Sequence, residues 1–233
     1  MPNLLTYFHP AGRPFIFLFC LATWGLSYLG WPFFVVGLFL TGWCLYFFRN
    51  PTRIAPTRPG LIISPADGHV VAVTEVVPDV DLALGADTRT RISIFLNVFD
   101  VHVNRMPADG IVRNRIYRPG KFFNASLDKA SVDNERMALV LELTGDHPAS
   151  TKTMGVVQIA GLIARRILCD ADMGDVYKAG QRYGIIRFGS RTDIYLPVGV
   201  SPMVGVGQYM IGGETVLADC QSAEGIRHVE RRD

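Results

Sequence analysis

Between Pro14 and Phe48 the chain carries no Asp, Glu, Lys or Arg. A charge-free run of that length is costly to hide in a domain of this size, and it exceeds the roughly 20 apolar residues of one membrane-spanning helix. It is too long for one straight span and short for two full ones. Gly30-Trp31-Pro32 stands near its middle, where a turn is needed. The run therefore reads as a hairpin of two short helices, or as an anchor lying in the membrane plane. No small-residue cleavage site follows it, which argues against a cleaved signal peptide. Arg13 before it and Arg49, Arg53 and Arg58 after it favour both ends on the cytoplasmic side. Trp24, Trp31, Trp43 and Tyr46-Phe47-Phe48 suit the interface.

Other features are equally scarce. The four cysteines, Cys20, Cys44, Cys169 and Cys220, are too far apart for a metal knuckle or a redox pair. Free thiols in a reducing compartment are the simplest account. A net charge of +2 over 233 residues gives no reason to expect a nucleic-acid partner. The histidines His9, His69, His102, His147 and His228 are scattered without a ligand spacing, so no metal site is expected. No glycine-rich phosphate loop follows a strand and opens a helix, which excludes a P-loop or Rossmann function. The mean hydropathy of +0.23 is high for a soluble chain, and the excess sits in the N-terminal run.

The rest reads as β structure. Residues 50–60 hold three prolines and form an extended linker between an anchor, 1–49, and a β-rich domain, 61–233. Apolar runs flank Asp67-Gly68 and Asp109-Gly110, and Arg91 to Val103 switches parity near Phe99-Asp100, which predicts a bend. Pro119 to Arg136 is polar and reads as a long loop or lid. Met154 to Leu168 fits helix and strand periods about equally, and its β-branched content favours strand. Short glycine-punctuated runs from Gly174 onward indicate a barrel or sandwich whose last part looks like a biotinyl/lipoyl hammerhead. No lysine stands at a hairpin tip there. The charged tail from Glu224 is expected to fray.

Gly189-Ser190 is the only Gly-Ser dipeptide in the chain, and by itself it is a turn after a strand. With Asp67 and His102 it makes a serine, a histidine and an aspartate in apolar, turn-rich settings, the parts of a nucleophile–base–orienter system. Locally, Asp67 reads equally well as a residue stabilising its own turn, and His102 as a satisfied core histidine.

Several stretches together carry a resemblance. They are Phe47-Phe48-Arg49-Asn50-Pro51, Ser64-Pro65-Ala66-Asp67-Gly68, Phe99-Asp100-Val101-His102-Val103-Asn104-Arg105-Met106-Pro107, Pro119-Gly120-Lys121-Phe122, Asn134-Glu135-Arg136 and Arg187-Phe188-Gly189-Ser190. In that order they resemble the phosphatidylserine decarboxylase family in its short bacterial form. The resemblance implies a self-processing proenzyme on the cytoplasmic face of the bacterial inner membrane. It implies cleavage between Gly189 and Ser190 into 1–189 (β chain) and 190–233 (α chain), which stay associated as a heterodimer. Ser190 becomes a covalent pyruvoyl (pyruvate) cofactor, which forms a Schiff base with the amine of phosphatidylserine and yields phosphatidylethanolamine. His102 is the expected proton donor, and Asp67 is expected to assist self-cleavage. Lys121, Arg187 and Arg191 are candidate phosphate contacts.

One departure stands out. Longer bacterial members have a second histidine three positions after the first; here that position is Arg105, which stays protonated and is a poor base. The base is then His102 itself or another group, with His69 a minor candidate. Gly212-Gly213-Glu214-Thr215 mimics a cleavage motif but lacks the serine. The alternative from another class is a non-catalytic membrane-anchored β-domain adaptor of the export fusion-protein type, which would remain one intact chain.

Overall fold

The computed structural model describes residues 7–120, 134–144, 153–161, 166–187, 189–227 and 229–230. The apolar run folds as two helices, α1 (Arg13–Ser27) and α2 (Trp31–Phe47). Pro14 and Pro32 sit in the first turns, where a missing N–H costs nothing, and Gly30 reverses the chain at φ 120°. The helices pack closely: Thr23 and Thr41 share a hydroxyl hydrogen bond of 2.8 Å, and a Cβ added at Gly37 would come within 2.9 Å of Thr23.

At 15 and 17 residues the helices are about 22 and 26 Å long, short of the roughly 30 Å hydrocarbon core. Among the described residues no helix is long and apolar enough to cross a membrane. The hairpin's far end is bare, with Tyr28 74% and Trp31 77% exposed. Its base is not. Cys44, Phe47 and Phe48 pack on Val101, Val103 and Ile185 of the β region.

The remainder is mainly β, as expected. In chain order the strands are β1 (Leu61–Ile63), β2 (Gly68–Val76), β3 (Arg89–Leu96), β4 (Val103–Arg105), β5 (Gly110–Arg118), β6 (Arg136–Leu143), β7 (Thr153–Ala160), β8 (Ile167–Cys169), β9 (Val176–Tyr177), β10 (Arg182–Ile186), β11 (Ser190–Tyr195), β12 (Tyr209–Met210) and β13 (Val216–Asp219). An eight-stranded sheet runs β12-β2-β3-β11-β7-β6-β5-β9; β4-β10-β8 and β1-β13 form two small sheets. The ambiguous stretch Met154 to Leu168 is strand at both ends, in β7 and β8. The expected loop after Pro119 ends one residue early, because Arg136 opens β6; residues 121–133 lie outside the described residues.

The predicted bend is an Asx turn. The Asn97 side chain accepts from Phe99 N at 2.7 Å, and Asp100 accepts from Asn97 N at 2.8 Å. It takes the chain out of the large sheet and into β4.

Strand β11 is paired on both sides, with β3 and with β7, and all its residues are buried. Directly opposed residues share a face. Thr192, Ile94 and Gln158 therefore face the main core, with Ser190, Leu96 and Ala160 one pleat along. That core also takes Tyr183 from β10 and Leu217 and Ala218 from β13. Arg191, Phe95, His69 and Ile159 lie on the opposite face, near a second cluster of Leu82, Val157 and Tyr195.

Candidate active site

Gly189 and Ser190 stand where the chain, leaving β10, enters the central strand. Gly189 has φ +60°, and no atom lies within 4 Å of where its Cβ would be. Glycine is favoured here by backbone conformation, not by lack of space. The Ser190 hydroxyl is fully buried and has no hydrogen-bond partner among the described residues. An orphaned buried hydroxyl is unusual and calls for an explanation in chemistry.

His102 comes to the same place from β4's leading edge and is completely buried. Its Nδ1 lies 3.0 Å from the Asp100 carbonyl, and its Nε2 accepts from Gly189 N at 3.2 Å. A carbonyl only accepts and an amide N–H only donates, so the proton is on Nδ1 and the Nε2 lone pair faces the Gly-Ser junction. Burial drives the His102 pKa down to about 4; the Asp100 carbonyl opposes this and the Arg49 charge adds to it. The ring is therefore neutral near pH 7. Phe47, from the base of α2, lies 4.4 Å from it, centroid to centroid. The hairpin thus roofs the histidine with an apolar side chain.

Asp67 is buried but joins neither partner by a hydrogen bond. Its carboxylate accepts from Arg53 at 2.6 Å and from Gly212 N at 2.7 Å. Burial raises its pKa, against the pull of Arg53 and the Gly212 N–H. The structure therefore brings His102 against the backbone N–H of Gly189, the residue before Ser190. It places Asp67 in a separate network with the linker.

Arg105, standing where a histidine was expected, ties loops together. It donates to Pro51 O at 2.7 Å and Gly180 O at 2.8 Å. Burial and the neighbouring Arg182 and Arg53 lower its pKa to about 10, with Asp67 and Glu214 opposing, so it stays charged near pH 7. His69 is exposed, stacked edge-on against Tyr209 at 5.0 Å, on the sheet face opposite Ser190. That geometry removes it as the base for Ser190.

The candidate phosphate contacts fare differently. Arg191 is 1% exposed and forms a two-pronged ion pair with Asp193, at 2.6 and 2.8 Å, plus a bond to Ser93 at 3.0 Å. It is a buried structural cation and not a surface contact, which corrects the expectation from sequence. Arg187 is half-buried with its guanidinium 5.0 Å from the Phe15 ring of α1, at the junction of hairpin and β region. Lys121 lies outside the described residues.

Sequence reasoning missed Phe47, Asp100 and Tyr209. Tyr209 donates to the Asp100 carboxylate at 2.9 Å, bracing the turn whose carbonyl fixes the His102 tautomer. Asp100 and Phe47 both lay inside recognised stretches, but nothing in their spacing announced contact with the histidine. Among the described residues no group of His, Cys, Asp and Glu could hold a metal ion.

Residues 40–218 match the family model described as phosphatidylserine decarboxylase. The chain is 53% identical over 219 residues to a phosphatidylserine decarboxylase proenzyme of Cereibacter sphaeroides, covering 94% of this chain and 92% of the relative. It is 58% identical over 212 residues to that of Granulibacter bethesdensis, covering 91% and 84%. With that of Ruegeria pomeroyi the identity is 54% over 217 residues, covering 91% and 95%. With similarity of this extent along the chain, the protein belongs to the phosphatidylserine decarboxylase family.

Proposed function

We propose that the chain decarboxylates phosphatidylserine to phosphatidylethanolamine after cutting itself between Gly189 and Ser190. The observation that carries this reading is the junction itself: a buried, unpartnered serine hydroxyl beside a glycine whose N–H is held by a neutral histidine. Ser190 Oγ attacks the Gly189 carbonyl carbon, and the C–N bond gives way to an ester. His102 Nε2 releases the Gly189 N–H, takes the serine proton and passes it to the departing Ser190 nitrogen. Elimination then removes the Cα proton of residue 190 to a base, forms a Cα=Cβ double bond, breaks the Cβ–Oγ bond and frees the Gly189 carboxylate. Addition of water and loss of ammonia leave a pyruvoyl group at position 190.

The residues present fit that group, because the pocket offers residue 190 no hydrogen bond that the loss of its hydroxyl would break. The pyruvoyl group supplies a carbonyl that captures the substrate's amine and takes up the electron pair as CO2 leaves. His102 delivers a proton to the carbon that has lost CO2. After the cut the new Gly189 carboxylate stands beside the ring and favours its protonated form, which supplies that proton. Asp67 keeps Arg53 and the 212 turn in register and supports self-cleavage through that frame.

The cut leaves residues 190–233 as a chain beginning with the central strand. The ladders of β11 with β3 and β7 support a heterodimer that persists after cleavage. The exposed apolar hairpin, flanked by arginines, supports a seat on the cytoplasmic face of the bacterial inner membrane. Arg187 then lies at the level of the lipid phosphate. Family membership argues against the adaptor reading.

The test is CO2 release from phosphatidylserine in mixed micelles. The intact sequence is expected to turn over, and Ser190→Ala to be inert and uncut. Turnover by Ser190→Ala would overturn the proposal.

A further inference from the structure

Two further amides project into the core beside the Ser190 junction. Asn104 is the middle residue of β4, two positions after His102. Gln158 lies on β7 directly opposite Thr192 of β11, one pleat along the same face from Ser190. Gln158 Nε2 donates to Asn104 Oδ1 at 2.7 Å. Asn104, Gln158, Ser190 and Thr192 are all fully buried. Among the described residues each keeps one polar atom without a partner: Asn104 Nδ2, Gln158 Oε1, Ser190 Oγ and Thr192 Oγ1. The rest of that face is aliphatic, including Ile92, Ile94 and Val156.

Buried amides and hydroxyls are nearly always satisfied, and each orphan costs free energy. Four orphans on adjoining positions form a prepared polar niche. Once Ser190 has been converted, its chemistry is mixed: an amide N–H donor, a carbonyl acceptor and the Thr192 hydroxyl, without a formal charge. An α-amino acid has the complementary set, with carboxylate oxygens to accept and an amine N–H to donate.

We propose that Asn104 and Gln158 form the subsite for the amino-acid end of the substrate, Asn104 donating to its carboxylate and Gln158 accepting from its nitrogen. This rests on the assignment of Ser190 given above. Uncharged donors suit the task. A lysine or arginine would hold the carboxylate charge in place, whereas an amide orients the group and lets its charge depart as CO2. The niche then separates serine lipids from amine lipids that have no carboxylate.

The experiment compares self-processed enzyme with Asn104→Leu and Asn104→Asp. Each is incubated in mixed micelles with phosphatidylserine or with phosphatidylethanolamine, in the presence of cyanoborohydride. Total lipid amine trapped on fragment 190–233 is read by mass. Both variants are expected to lose about tenfold or more of the trapping from phosphatidylserine, the scale of a lost hydrogen bond to a charged group. Trapping from phosphatidylethanolamine is expected to change little. The aspartate variant is expected to be the worse of the two for phosphatidylserine, because it sets like charges together. An unchanged ratio between the lipids overturns the subsite. So does failure of both variants to cut themselves, which would assign the niche to self-cleavage. If the unaltered enzyme traps neither lipid, the Ser190 assignment itself falls, and this subsite with it.

Discussion

Acid should weaken the uncut protein through His102, and the size of the effect follows from its burial. The folded pKa is about 4 against an ordinary value of 6.5. Between those values the unfolded chain binds a proton that the folded chain refuses, so stability rises with pH. The contribution is complete above about pH 6.5 and is lost as pH falls towards 4. A gap of about 2.5 units corresponds to about 3 kcal/mol, with a slope of up to about 1.4 kcal/mol per pH unit. Denaturant unfolding in detergent micelles from about pH 7 to about pH 4 reads this directly. It is done on Ser190→Ala, which keeps the 189–190 peptide whole, with and without His102→Gln. The raised pKa of Asp67 is common to both chains and cancels in the comparison. The stability difference between the chains should shrink by about 3 kcal/mol over that range. Parallel pH profiles would refute the buried, neutral histidine.

Other outcomes follow from the same geometry. Gly189→Ala meets no clash but forces a side chain into φ +60°, so it should cost about 1–2 kcal/mol, lower the melting temperature by several degrees and slow self-cleavage; an unchanged cleavage rate would count against a scissile role for that conformation. Asp193→Ala removes the buried carboxylate that pairs with the Arg191 guanidinium and should cost about 3–5 kcal/mol in denaturant unfolding, most of it recovered in Arg191→Met/Asp193→Leu. Phe47→Ala opens the apolar roof over His102, so the imidazole pKa, followed by NMR, should rise towards 6.5; no movement would mean that the hairpin does not set the histidine's environment.

Local pattern reached the fold class because period-two runs and glycine turns report directly on strands. The hairpin was legible for the same reason: nothing but apolar surface explains Pro14 to Phe48. Pairing was not legible. Whether His69 or His102 meets Ser190 depends on sheet register, and register puts His69 on the opposite face. Arg191 carried a usable signal, since Asp193 two residues on in a strand lies on the same face and can pair with it. Read as one of several nearby cations, it looked like a surface charge. Arg105 was recognised as a departure from the expected histidine, but its carbonyl partners come from Pro51 and Gly180, far along the chain in each direction. The Asn104–Gln158 pair joins β4 to β7, and a single sequence has no way to show that contact.

The central claim is that Ser190 is the precursor of the reacting group and not a lasting hydroxyl. The intact mass of the smaller fragment of the purified protein tests it. The account predicts a peptide of residues 190–233 that is lighter than the encoded sequence by one ammonia and carries a ketone at its first position. A fragment beginning with an ordinary amino-terminal serine, or a chain that remains whole, would contradict it.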